Sequence, residues 1–291
     1  MKFAVLLPPA STRCADPGWI AGFAQHAEAC GFESLVAIEH TVVIGGYRST
    51  YPYDSSGKME LGDDCPIPDP LDLLAFLAGR TSRIGLATGV LVLPNHHPVV
   101  LAKRAATVDA LSGGRLRLCV GMGWMAEEIQ ACGVDFDSRG RRADEQLEVL
   151  DKLWSAGPAD HSGEFFAFEK AFSYPKPARA DGIPLHFGGH SMAAARRAGR
   201  YGAGLQPLGV SGDRLHRLVD AMHAEAESCG RDPRRLELTL GHMVSRITPE
   251  RAHALAELGA DRVMLAPSPT SDLDVALAEL TACAQRLELE P

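Results

Sequence analysis

Eight short apolar runs, each followed by at least one stretch of helical period, constrain this chain more than any other feature of its sequence. The runs fall at 2–7, 34–38, 83–88, 116–120, 183–187, 204–206, 236–243 and 261–265. Helical patterns follow at 17–31, 69–81, 99–111, 126–132 and 142–155, then from Ser191 to Tyr201 and at 212–229, 249–258 and 272–287. Strands alternating with helices in this way imply right-handed parallel crossovers. Eight such units close naturally into an α/β (β/α)8 TIM barrel, with an open doubly wound sheet as the other arrangement. No internal repeat, low-complexity tract or boundary divides residues 1–291, which read as one domain.

Two segments interrupt the alternation. Residues 41–68 carry no sustained period but hold Gly45-Gly46 and the tyrosines Tyr47, Tyr51 and Tyr53, which favours a folded lid after the second strand. Residues 162–174 alternate aromatic and polar side chains and read as a surface hairpin inserted before the fifth strand.

A barrel of this kind builds its active site from the C-terminal ends of its strands. That rule selects Pro8 of Pro8-Pro9, Glu39-His40, Gly89-Val90, Gly121, Gly123 and Trp124, Gly188 to Ser191, Gln206-Pro207, and His242-Met243. Several of these ends are glycine-rich, as where a flat, bulky ligand lies against backbone. Around Gly188, Gly189, His190 and Ser191, a buried strand turns on two glycines into a helix start, whose unpaired N–H groups suit a phosphate.

His40 is the titratable imidazole at the end of an early strand: it can exchange a proton with a ligand, or bond to backbone beneath the long loop. Trp124 either stacks on a ligand or caps the barrel. Whether His242 faces the mouth depends on its neighbours. His96-His97 sit in a turn with no carboxylate at a ligand spacing and read as surface histidines, so no metal site is expected. The absence of a GxSxG elbow, of a P-loop and of a GxGxxG after the first strand counts against hydrolase, kinase and NAD-dehydrogenase readings.

The net charge of −8 opposes nucleic acid as a general partner. The arginine clusters at Arg139 to Arg142 and Arg231 to Arg235 are interleaved with acids or prolines and read as solvated surface. No apolar run approaches the roughly 20 residues that span a bilayer, and the N-terminal run is too short for a signal peptide. With seven cysteines and no CxxC pair, the expectation is a cytoplasmic protein with reduced thiols and no membrane contact.

The segments DALSGGRLRLCVGMGW (109–124), TSRIGLATGVLVL (81–93), GFES leading to Glu39-His40, Pro68-Asp69-Pro70, residues 98–104 and residues 183–204 carry a resemblance over essentially the whole chain. The sequence resembles the bacterial luciferase-like superfamily, and within it the branch that uses the deazaflavin coenzyme F420. The resemblance implies a flavin or deazaflavin in the barrel mouth. Gly89-Val90 aligns with a bulge, often a non-prolyl cis peptide, behind the ring. His40 aligns with a histidine beside the reactive ring. The segments Gly121 to Trp124 and Gly188 to Ser191 match those that bind the cofactor's chain and phosphate, with Pro207 nearby.

Tyr51, Tyr53, Trp124 and His242 would then shape the substrate side. The implied activity is hydride exchange between F420 and a small organic substrate. An FMN-dependent monooxygenase using reduced FMN and O2 is the alternative, and a non-catalytic flavin- or deazaflavin-binding protein is a second. Sugar-phosphate dehydrogenase activity is not expected, because Trp124 stands where those relatives carry an acidic glutamate. A homodimer, formed through helices near strands two and three, is also implied.

Overall fold

The computed structural model describes residues 1–8 and 13–290, so Pro9, expected at the end of the first strand, lies outside the described residues. The strands in chain order are β1 (Lys2–Leu6), β2 (Ser34–Ala37), β3 (Gly85–Thr88), β4 (Leu91–Val92), β5 (Leu116–Gly121), β6 (Ala159–Ser162), β7 (Ala167–Ala171), β8 (Leu185–Gly188), β9 (Gly204–Gln206), β10 (Glu237–Met243) and β11 (Arg262–Ala266). Parallel pairing runs β3-β2-β1-β11-β10-β9-β8-β5, and a direct β3 to β5 pairing at Leu86↔Leu116 closes the ring. That closing pair excludes the open sheet. β4 continues the path of β3 and pairs higher on β5, Leu91↔Val120, so β3 and β4 are one barrel stave interrupted at Gly89-Val90.

The helices are α1 (Pro17–Ala29), α2 (Pro70–Ala78), α3 (Pro98–Leu111), α4 (Ala126–Ala131), α5 (Arg139–Trp154), α6 (Met192–Tyr201), α7 (Gly212–Ser228), α8 (Pro249–Glu257) and α9 (Leu273–Arg286). Local chemistry sets their starts. Asp16, Asp69, Ser191, Thr248 and Asp272 each accept a backbone N–H of the first turn, and proline opens α1, α2, α3 and α8 where its missing donor costs nothing.

Alternation along the strands sorts side chains between two layers. Val5, Leu35, Leu86, Leu118, Phe187 and Leu205 turn outward onto the helices in the main apolar core. Ala4, Val36, Ala87 and Met264 form a smaller cluster of their own. At the strand starts the barrel is charged instead: Arg262, 2% exposed, is held by Glu33 at 2.9 and 3.0 Å and by Glu237 at 2.7 Å.

Two expectations shift. The hairpin is β6–β7, three residues earlier than its sequence pattern suggests, because Glu145 of α5 accepts the Phe165 and Phe166 amides at 2.9 and 2.8 Å and fixes the turn there. The arginine clusters are solvated surface only in part: Arg141, Arg234 and Arg235 are exposed, whereas Arg139, Arg142 and Arg231 pack against the fold. α5 begins at Arg139, whose guanidinium lies 3.6 Å from the centroid of Phe136, and Arg142 covers Phe166 at 4.6 Å. Arg231 donates to the carbonyls of Gly199 and Gly202. Among the described residues no helix is long and apolar enough to cross a membrane.

Candidate active site

The residues selected by the strand-end rule converge at the C-terminal mouth through three local devices. The first is the bulge. Gly89-Val90 is a non-prolyl cis peptide between β3 and β4. The Val90 side chain then lies where neither Gly121 nor Gly188 leaves room for more: a Cβ on Gly121 would stand 2.7 Å from Val90 Cγ2, and one on Gly188 would overlap Val90 Cγ1. Gly123 has φ +75°, and its Cβ position is blocked by Ile129 and Val92. Glu39 holds the far side of the bulge in place, accepting the Val92 amide and bonding His96 Nε2 at 2.8 Å. His96 is therefore an internal partner of a buried carboxylate rather than a surface histidine; His97 is exposed, as expected.

The second device centres on α4, which follows Trp124. Its adjacent carboxylates face different parts of the 41–68 segment. Glu128, 2% exposed, bonds His40 Nδ1 at 2.9 Å and accepts the Thr41 amide at 2.6 Å. Glu127 accepts the Arg48 amide and the Ser49 hydroxyl, both at 2.7 Å, and these bonds hold its carboxyl down at about 2. With Nδ1 committed to Glu128, His40 Nε2 has no protein partner among the described residues.

The aromatics of the same segment gather on Trp124, whose ring centroid lies 6.0 Å from His40, 5.2 Å from Tyr47 and 5.1 Å from Tyr51. Tyr51 meets Tyr53 at 5.4 Å, and Tyr53 meets His190 at 5.3 Å. A continuous aromatic path thus crosses the mouth from His40 to the α6 side. Burial raises the Tyr51 and Tyr53 hydroxyls above their ordinary range, so both stay protonated donors.

The third device is the turn into α6. Gly189 has φ +114°, Ser191 caps the helix through Ala194 N at 3.2 Å, and the amides of Met192 and Ala193 donate to no protein group among the described residues. Arg214 of α7 reaches this turn, bonding the His190 carbonyl at 3.3 Å. Burial and then the Arg214 charge hold the His190 imidazole below its ordinary range. Free amides, a helix N-terminus and a guanidinium fit a phosphate-bearing cofactor chain.

The structure brings Gly89, Val90, Gly121 and Gly188 into one platform, and His40, Trp124, Tyr51, Tyr53 and His190 into one aromatic path. Pro207 is buried just past β9, beside Gln206, whose amide lies near Gly89 and 3.5 Å from Met264 Sδ. His242 sits at the mouth end of β10, opposite Leu265, and bonds only the Met243 carbonyl at 3.3 Å, with no ring contact to the Trp124 group among the described residues. Glu128 and Arg214 are absent from the strand-end set because both lie on helices. Among the described residues no group of three or more metal-binding side chains gathers.

A family model described as luciferase-like monooxygenase matches residues 1–289. The chain belongs to the luciferase-like monooxygenase family. An uncharacterized Mycobacterium tuberculosis protein is 34% identical over 208 residues, covering 72% of this chain and 71% of that one. Among solved structures, the luciferase-like barrel superposes on the monooxygenase RslO1 from Streptomyces bottropensis with TM-score 0.76, 19% identity and 99% coverage of both chains. It also superposes on an F420-dependent secondary alcohol dehydrogenase in complex with an F420-acetone adduct, with TM-score 0.78, 18% identity and 98% coverage of both. At these identities the two structures establish the fold. Luciferase-like neighbours therefore include both F420-dependent and monooxygenase enzymes.

Proposed function

We propose that the protein is an oxidoreductase that exchanges hydride between coenzyme F420 and a small organic substrate at the barrel mouth. The observation that carries this reading is the His40–Glu128 pair. Delivering hydride to a carbonyl carbon requires a proton at its oxygen, and removing hydride from an alcohol requires the hydroxyl proton to leave. Glu128 accepts the Nδ1 proton of His40, which leaves Nε2 as the atom that holds or takes the substrate proton.

Val90, backed by Gly89, Gly121 and Gly188, would support the ring, and Gly123 would let the β5 turn approach it. The amides beside Gly189, His190 and Ser191, with Arg214, would hold the chain phosphate. Trp124, Tyr51 and Tyr53 would close the substrate side and exclude water, with His242 and Pro207 at its edge. When bound there, the deazaflavin supplies or accepts a hydride at its C5. The same reading takes residues 1–291 as one domain that acts as a homodimer in the cytoplasm.

Titrating the protein with oxidised F420 and, separately, with FMN, while following ligand fluorescence, tests this. Micromolar or tighter F420 binding without FMN binding supports the hydride reading. The reverse preference assigns an FMN-dependent monooxygenase instead, and binding of neither rejects the cofactor class.

A further inference from the structure

The opposite end of the barrel holds a second concave site. A cavity of about 280 Å3 opens among the strand starts, where every barrel stave contributes a residue at or next to its first position. Six cationic side chains line it, Lys2, Arg115, Arg117, Arg179, Arg235 and Arg262, against two carboxylates, Glu33 and Glu237, a surplus of four positive charges in a protein whose net charge is −8.

Both carboxylates are already committed. Glu33 binds Arg262 at 2.9 Å and Arg117 at 3.2 Å, and Glu237 binds Arg262 at 2.7 Å and Lys2 at 2.5 Å. Arg115 spends its donors on neutral oxygens of Ala78, Thr81, Ile84 and Ser112. Arg179 makes one bond, to the Leu116 carbonyl at 2.9 Å, and the exposed Arg235 makes no side-chain hydrogen bond among the described residues. Burial, with repulsion from Arg262, holds the Arg117 guanidinium below its ordinary range.

A second observation marks the same cavity. His186 lines it at 2% exposure, and its Nδ1 is buried without a hydrogen-bond partner. With its Nε2 3.5 Å from Glu237 Oε2, His186 adds a further partner to a carboxylate already shared by Lys2 and Arg262, so the surplus guanidinium charge around it is left for a bound anion to relieve.

We propose that the N-terminal opening of this barrel binds a small phosphate-type oxyanion, held by Arg117, Arg179, Arg235 and Lys2. Guanidinium groups match the geometry of phosphate oxygens, and four cations from four parts of the chain would clamp the barrel's base when the anion binds. This site is independent of the cofactor reading, because it lies at the other end of the strands.

Inorganic phosphate is the probe, titrated against chloride at constant ionic strength, with melting temperature and calorimetric binding as readouts on the cofactor-free protein. The expected result is a saturable rise in melting temperature specific to phosphate. An R179Q/R235Q double variant, altered only at exposed rim positions, should melt normally in chloride and bind phosphate about tenfold or more weakly. R235Q alone should weaken binding in the same direction, should the double variant fold poorly. R214Q should keep the response. A response no greater than in chloride, one that survives R179Q/R235Q on the R214Q background, where the start of α6 no longer offers its guanidinium, or one that disappears in R214Q because the anion sits at the start of α6, overturns the proposal.

Discussion

Glu128 Oε2 stands 2.9 Å from Nδ1 of His40, although 88 residues separate them, and its other oxygen accepts the amide of the next residue, Thr41, at 2.6 Å. One buried carboxylate thereby fixes both the ring of His40 and the backbone that carries it. Replacing His40 with alanine should lower kcat by about 10²- to 10⁴-fold while changing cofactor affinity little. Glu128→Gln removes the negative charge and leaves one acceptor where the carboxylate has two, so either the His40 or the Thr41 bond is lost; it should lower kcat by about tenfold or more and leave the cofactor Kd unchanged. Steady-state kinetics beside fluorescence titration check both, and an equal loss of cofactor binding would make the pair structural.

Glu127 holds the lid rather than His40. Glu127→Gln weakens the anchors at Arg48 and Ser49. The expected outcome is faster limited proteolysis within 41–68 and a raised substrate KM, with cofactor binding intact. Unchanged cleavage kinetics would show that the tyrosines hold the lid by themselves.

Gly188 and Gly199 separate platform from packing. A methyl on Gly188 collides with Val90, so Gly188→Ala should weaken cofactor binding more than stability. A methyl on Gly199 collides with the Met222 carbonyl, where α6 packs on α7, so Gly199→Ala should cost about 1 to 3 kcal/mol in denaturant unfolding. Its effect on the cofactor should be small.

The charged base of the barrel sets an acid limit. The His186 imidazole is pushed down to about 3 from its ordinary 6.5, chiefly by burial, so between these values the unfolded chain binds the proton and the folded one does not. Stability therefore falls as pH drops below 6.5, by about 2 to 3 kcal/mol over the first two pH units. Glu33 and Glu237 lie at about 2 in the fold, despite burial, because Arg262 and its neighbours hold them ionised; their contribution is lost as pH falls from 4.5 towards 2. Denaturant melts from pH 7 to 4 should show the first slope in the native protein and a flatter one in His186→Gln. Glu33→Gln, which leaves Arg117 without a carboxylate and Arg262 with Glu237 alone, should cost about 3 kcal/mol at pH 7.

The barrel was legible because hydrophobic period and spacing are repeated eight times, and the repetition tolerates boundary errors such as β8 starting at Leu185 rather than 183. Ser191 and the glycine turns were legible because capping and positive φ are written in single residues. Partners across the fold were not. Glu128 reads locally as one more acid in the first turn of a helix, and only its burial against His40 distinguishes it from Glu127. Arg214 lies 24 residues from the His190 carbonyl it bonds. His96 looked exposed because its carboxylate, Glu39, is on another stave. The ion network at the strand starts was hidden for the same reason: Arg117 and Arg262 are single charges at the ends of apolar runs until the ring closes.

Glu127 and Glu128 are consecutive, yet they grip the chain at Thr41 and at Arg48-Ser49. The stretch between these grips is thus a closed loop of fixed length, whereas residues 50–68 lie outside it and are tied back by tyrosine ring contacts and by bonds from Lys58 and Met59 to Tyr47. Insertions and deletions should accordingly be tolerated after Ser49 and penalised before it, because only the inner loop's length is coupled to the position of His40. A lineage could rewrite the outer loop to admit new substrates while its proton-handling residue stays where α4 puts it.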